Sequence, residues 1–243
     1  MDGILITARL KSTRLPGKAL IDLNGRPLLA YQLERIRSST DVPIVVCTST
    51  NRQDDLLEKF AEEMGCLCFR GSEEDVLDRY LRCAVLHNID RMYITYADEP
   101  FTDIDLLKIT FSEMDRCEMI WVRNDAYPDG VFGYGFTRKA LELVNAMKTS
   151  EQNEVWGEMV ARLPIKIARN VPPYKTDKSA FRLTVDYPED LEAMKLLMTQ
   201  LGERFRTIDI PELLNVYEQL GLHKINVFRS VDYNQRLQKQ SIR

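Results

Sequence analysis

"GILITARLKSTRLPGKAL" spans residues 3–20. Its first six residues, GILITA, carry no charge and read as a strand buried on both faces. The apolar run stops at Ala8. Four cationic side chains, Arg9, Lys11, Arg14 and Lys18, then fall within ten positions, mixed with Ser12, Thr13 and the Pro16-Gly17 break. A strand of this kind belongs inside a sheet covered on both sides, and the following hundred residues repeat the pattern. PIVVCT (43–48), CLCF (66–69), RMYITYA (91–97) and EMIWV (118–122) read as strands. Between them, 27–38 carries a helical apolar stripe behind Pro27, 53–64 opens with acids and stops at Gly65, 72–88 is expected to be capped by Ser72, and 103–114 is helical. Strands that are near-continuously apolar and alternate with helices predict a mostly parallel sheet with helices on both faces, an α/β fold of three layers. Ligands of such sheets lie beyond the carboxyl ends of the strands, which is where residues 9–18 fall.

After residue 123 the rhythm changes. DAYPDGVFGYGF (125–136) predicts an irregular loop and a hairpin, and 137–148 a helix. LPIKIARNV (163–171) and SAFRLTVD (179–186) are expected as strands that pair antiparallel. Residues 188–202 and 210–221 are well-signalled helices, and the polar, basic stretch 222–243 is expected to be partly mobile or docked on a partner. The expected organisation is one domain over 1–243, with a lobe inserted around 124–180 for the acceptor or for dimerisation and a helical extension over 203–243.

The 243 residues carry 33 basic and 37 acidic side chains, a net charge of −4. Nucleic acid and anionic lipid are therefore excluded as whole-surface partners, and any anion must be held by a local cluster. No apolar run reaches the ~20 residues that span a bilayer, and the start of the chain does not read as a secretory signal. The five cysteines, Cys47, Cys66, Cys68, Cys83 and Cys117, are an odd number, which suggests reduced thiols and a cytoplasmic address. The Cys66/Cys68 spacing and the two histidines do not fit a zinc site.

Two readings of 9–18 compete: a solvated basic loop, or a cradle of amides, arginine and lysine for a polyphosphate. Neither the Walker loop nor the three-glycine dinucleotide pattern is present. The stretch Ala8–Lys18, ARLKSTRLPGK, resembles the signature loop of cytidylyltransferases that activate sugars for cell-surface polysaccharides. It is most similar to the spore coat polysaccharide biosynthesis F type, then to 3-deoxy-manno-octulosonate and acylneuraminate cytidylyltransferases. FRGSEEDVLDRYLRCA (69–84), YADEPFTD (96–103), YPDG (127–130) and RLTVDYPEDLE (182–192) extend the likeness over about residues 3–202.

The resemblance implies a Rossmann-like nucleotidyltransferase fold, a Mg²⁺-dependent reaction with CTP, a small acidic sugar-like or phosphorylated acceptor, release of diphosphate, and a homodimer. By motif, Arg9, Arg14 and Lys18 would hold the phosphates and stabilise the leaving diphosphate, with Ala8, Ser12 and Gly17 in the same nucleotide loop. Arg14 has the alternative of a brace under the loop. Asp98 and Asp186, each ending a strand, would hold the metal; the alternative is that each caps the turn or helix that follows. Ser72 and Arg79 would lie by the base, with Ser72 alternatively serving only its helix. Asp129, Gly130 and Glu154 fall on the acceptor side. There the chain departs from the spore coat pattern: Glu154-Val155-Trp156 replaces a Glu-His-Val-Thr segment. Trp156 and the aromatic run Tyr127, Phe132, Tyr134, Phe136 read first as packing. Two other classes compete with cytidylyl transfer. One is a glycosyltransferase with Asp98-Glu99 as its metal motif; the other is a non-catalytic nucleotide-binding subunit.

Overall fold

A computed structural model of the chain describes residues 1–122, 127–153, 156–170, 178 and 180–230. Seven strands form one sheet, in the order β5 (Leu67–Gly71), β4 (Ile44–Ser49), β1 (Asp2–Thr7), β6 (Arg91–Tyr96), β8 (Tyr134–Thr137), β7 (Met119–Val122) and β9 (Ile167–Asn170). A two-stranded ribbon, β2 (Asp22–Leu23) with β3 (Arg26–Pro27), lies outside it. Within the seven-stranded sheet β8 alone runs against its neighbours β6 and β7; the other pairings of that sheet are parallel. The expected α/β architecture is the one found.

Alternation along the buried strands builds both layers, because successive side chains point to opposite faces. Ile4, Ile6, Val46, Tyr93 and Ile120 face α1 (Leu28–Arg37), α2 (Asp55–Glu63) and α4 (Ile104–Glu113). Leu5, Val45, Cys47, Met92, Ile94, Met119 and Phe136 face α3 (Val76–Leu86), α5 (Arg138–Met147) and α6 (Gly157–Ala161). A third cluster joins α7 (Pro188–Leu201) and α8 (Ile210–Gln219) to Phe101, Tyr127, Val131, Leu183 and Val185. A short α9 (His223–Asn226) closes on α7 through Asn226 Nδ2, which donates to Asp190 Oδ1 at 2.9 Å.

The chain leaves β1 for β4 on one side and, after β5, returns to pair β6 on the other. The carboxyl ends of β1 and β6 therefore flank the point where strand order reverses, the crevice in which such sheets bind ligands. Ala8 N donates to Cys47 O at 3.0 Å and Ala97 N to Thr7 O at 3.0 Å, so all three strands end level there.

Three local expectations change. The helix expected at 72–88 starts at Val76, and Asp75, not Ser72, is its cap: the Asp75 carboxylate accepts from Asp78 N. Ser72 Oγ instead accepts from Asp75 N at 3.0 Å, one turn earlier. β9 pairs in parallel with β7, not antiparallel with 179–186. The described part of 179–186 makes only an isolated bridge, Asp129 with Arg182. The cause is divided pairing: Leu183 N donates to Asp129 O at 2.7 Å and Val185 N to Asp98 O at 2.9 Å, so two loops share a segment that one strand would otherwise hold. Within 124–180, β8 and β9 lie in the main sheet.

Candidate active site

The loop after β1 is fastened at its base. Leu10 N donates to Asp54 Oδ1 at 2.8 Å, and Ser49 Oγ donates to the other oxygen of the same buried carboxylate at 2.5 Å. Gly17 N closes the loop on Leu10 O at 3.0 Å, and Gly17 has φ +69°, the left-handed conformation that glycine adopts without strain. Ala8 and Leu15 are buried, which leaves Arg9, Ser12 and Arg14 half-buried and Lys11 exposed. Ser12 Oγ accepts from Leu15 N at 3.4 Å, and Lys11 pairs with Glu73 at 3.1 Å. Asp54 was not singled out by the sequence; its only signal is a second acid just ahead of α2.

Lys18 opens the short 3-10 turn Lys18–Leu20 and delivers Nζ to both predicted carboxylates. It is hydrogen bonded to Asp98 Oδ2 and lies 2.7 Å from Asp186 Oδ1. Arg14 Nη2 donates to the same Asp186 oxygen at 2.5 Å, and its guanidinium covers the Tyr187 ring at 5.1 Å. Burial alone would strip the Lys18 proton, but the two carboxylates overcome it and hold the ammonium above its ordinary pKa. Burial likewise opposes ionisation of Asp186, and Lys18 and Arg14 reverse this, holding it well below the usual carboxylate range. Lys18 and Asp186 therefore hold each other in their charged forms. Neither aspartate acts as a helix cap: Asp190 Oδ2 closes α7, accepting from Asp186 N and Tyr187 N at 3.0 Å each.

Beneath this group lies Arg182, whose side chain is 0% exposed. It donates to Asp190 Oδ1 at 2.9 Å and to Asp186 Oδ2 at 2.9 Å, and reaches Asp129 Oδ2 at 3.5 Å. One guanidinium thus joins the predicted acceptor loop to the predicted metal carboxylate. Asp129 keeps a raised pKa because burial outweighs the pull of Arg182. Gly130, at φ +92°, lies flat on the opposing segment: a Cβ there would fall 2.3 Å from Thr184 N. Tyr217 and Asn226 complete the base by donating to Arg182 O at 3.1 and 3.0 Å. The sequence does not mark Arg182 or Asp190 as members of the site. The four-residue spacing of Arg182, Asp186 and Asp190 was the available signal.

Other predicted residues lie elsewhere. Arg79 is buried, donates to Ser72 O at 2.7 Å and packs against Gly71, so it ties down the turn between β5 and α3. Glu99 turns away from Lys18, accepting from Thr95 Oγ1 at 2.9 Å. Burial, with the Asp98 charge beside it, pushes its carboxyl far up. Glu154 lies outside the described residues. Trp156 is buried among aromatic rings, as the packing reading expects.

Two carboxylates converging on one cation is a donor set that suits Mg²⁺, which commonly takes one or two carboxylates and completes its shell with water and phosphate oxygens. Among the described residues no set of three or more His, Cys, Asp or Glu side chains forms an all-protein metal cage. None of the described helices is long and apolar enough to cross a membrane.

A model of the family described as Cytidylyltransferase matches residues 4–133. The spore coat polysaccharide biosynthesis protein SpsF of Bacillus subtilis (strain 168) is 31% identical over 220 residues, covering 82% of this chain and 87% of that protein. A 3-deoxy-manno-octulosonate cytidylyltransferase of Hahella chejuensis is 34% identical over 107 residues, 43% of this chain and 41% of that one. Among solved structures, a cytidylyltransferase from Leptospira borgpetersenii serovar Hardjo-bovis superposes with a TM-score of 0.82 at 26% identity, covering 91% of this chain and 95% of the other.

Proposed function

The chain belongs to the cytidylyltransferase family, and from that premise we propose that it moves a CMP group from CTP to an oxygen of a small acidic sugar-like acceptor, releasing diphosphate. The acceptor oxygen forms its bond to the α-phosphorus as the bond from that phosphorus to the bridging oxygen breaks. The electron pair leaves on diphosphate, and where the acceptor oxygen is a hydroxyl its proton passes to solvent. Such a step demands charge stabilisation and alignment more than covalent participation by the protein.

The observation that carries this reading is the Lys18 ammonium held between Asp98 and Asp186 at the strand-order switch. It brings a fixed cation and two carboxylates to the place where a triphosphate would meet a divalent ion. Arg9 and Lys11 extend positive charge along the loop. Arg14 adds a directional donor: among the described residues its buried Nε–H meets no acceptor, which leaves it for a phosphate oxygen. Mg²⁺ on Asp98 and Asp186 would supply the charge that neutralises the phosphates. The loop chemistry and the kinship with SpsF together support an acceptor destined for surface polysaccharide or glycoconjugate.

The test is diphosphate release with each of the four nucleoside triphosphates, Mg²⁺, and a panel of sugar acids and phosphorylated polyols. Release with CTP alone, abolished by a chelator and by Asp186→Asn, is the expected result. Consumption of a nucleotide sugar without diphosphate release, or equal rates in Asp186→Asn, overturns it.

A further inference from the structure

The FGYGF stretch (132–136) leads into and along β8 and splits its side chains cleanly. Gly133 and Gly135 face α4 and the β6 backbone, where there is no room for more: a Cβ at 133 would lie 2.5 Å from Ile94 O, and one at 135 would lie 2.5 Å from Thr110 Cγ2. Phe132, Tyr134 and Phe136 therefore all turn to the other face. There Tyr134 stands edge-on to Trp156 at 4.9 Å, to Trp121 at 6.1 Å and to Tyr96 at 6.4 Å. Phe132, Phe136 and Trp156 are buried, whereas Tyr96, Trp121 and Tyr134 are only half-buried. Trp121 is seated by Gly157, where a Cβ would come 2.8 Å from the indole.

The half-exposed rings lie at the carboxyl edge of the sheet. Tyr96 ends β6 two residues before Asp98, Tyr134 pairs with Ile94 of that strand, and Trp121 is the third residue of the four in β7. The loop that enters β8 carries Asp129, whose carboxylate is 30% exposed and fixed by Arg182. A wall of rigid rings, with an anchored carboxylate on the loop that enters the same strand, matches a ligand with an apolar C–H face and a rim of hydroxyls.

We propose that Tyr96, Trp121 and Tyr134 form the acceptor platform of this enzyme and select a cyclic sugar, whose C–H face lies on the rings and whose hydroxyls donate to Asp129. An acyclic phosphorylated polyol or a phosphonate has no such face and is not the substrate. This rests on the cytidylyl-transfer reading and narrows its acceptor class.

The chain has two tryptophans, Trp121 and Trp156, both in this cluster, so indole emission reports on the platform directly. In Trp156→Phe the emission comes from Trp121 alone. This variant, with and without CMP, is titrated with 3-deoxy-manno-octulosonate and N-acetylneuraminate as ring sugars and with ribitol 5-phosphate as the acyclic control. Saturable change with a ring sugar and none with the polyol is expected. In Tyr96→Ala the ring sugar should bind about tenfold more weakly, the scale of one lost aromatic contact, with the KM for CTP unmoved. No signal from either ring sugar, or an equal signal from ribitol 5-phosphate, overturns the proposal. So does an unchanged ring-sugar affinity in a folded Tyr96→Ala. Diphosphate release from CTP with the polyol would sink the platform while leaving cytidylyl transfer intact. Ring-sugar binding without CTP turnover would do the reverse.

Discussion

The loop at 8–18 and the carboxylate cluster around Arg182 meet at one point, yet they are built in opposite ways. The loop is a contiguous run, fastened at its base by one buried carboxylate, Asp54, with Lys11 exposed, Arg9 and Arg14 half-buried, and Lys18 turned in to Asp98 and Asp186. The cluster is assembled from stretches remote in sequence: Asp129, Asp186 and Asp190 are held by a guanidinium that sees no solvent, and Asp98 joins through Lys18 and Val185 N. The difference separates chemistry from architecture. Exposed cations can be lost with little cost to folding, whereas a buried ion pair stripped of one partner leaves an uncompensated charge.

Variants at the two regions should therefore fail differently. The largest effect is expected from Arg182→Met, which strands Asp186 and Asp190: removing one member of a buried pair costs about 3–5 kcal/mol, read as a drop in melting temperature of about 10 °C. An unchanged melting curve would erase the contrast. Lys18→Ala should instead cut kcat by about 10²–10³-fold, the scale of one lost donor to developing charge, with a smaller drop in melting temperature than Arg182→Met because Arg14 and Arg182 still pair with Asp186. A kcat near that of the parent would move the loop to the bland, solvated side.

Gly130→Ala probes the seam between the regions. Its positive φ and the 2.3 Å approach to Thr184 N predict about 1–3 kcal/mol of destabilisation in a denaturant titration. A silent substitution would show that the Asp129–Gly130 loop is not pinned to the Asp186 segment. The smallest effect belongs to Glu99→Gln. Burial, then the neighbouring Asp98 charge, raises the folded pKa of Glu99 far above its unfolded value of about 4.3. The folded state then holds a proton that the unfolded state has released, so its contribution is full below the unfolded pKa and declines as pH rises toward the folded one. Glutamine needs no proton, so the variant's melting temperature relative to the parent should increase from pH 5 to pH 8. A gap that narrows would mean that Glu99 is ionised in the fold.

The two regions also differ in how far they can be read before folding. Pro16-Gly17 and the spacing of Arg9, Arg14 and Lys18 are local, so the loop announces itself. Asp98 and Asp186 were accessible because each ends an apolar run. Arg182 was not, since an arginine inside FRLTV reads as a solvent-facing strand residue until the chain is closed around it. The expected pairing of 163–171 with 179–186 failed for a related reason: periodicity marks a strand but does not name its partner. Ser72 lost the cap of α3 to Asp75 because several candidate caps lie within four residues, and only the backbone path decides among them.

From the sequence alone came the parallel α/β sheet, the cationic loop after its first strand and the family kinship, because buried strands and short motifs are encoded by neighbouring residues. Tertiary structure alone decided that one ammonium joins two carboxylates 80 and 168 residues away. It also decided that Arg182 is the buried hub beneath them and that an aromatic wall stands at the adjoining strand ends. Those arrangements depend on which distant side chains share a desolvated space, where an unpaired charge is costly and a rigid ring has only one way to pack.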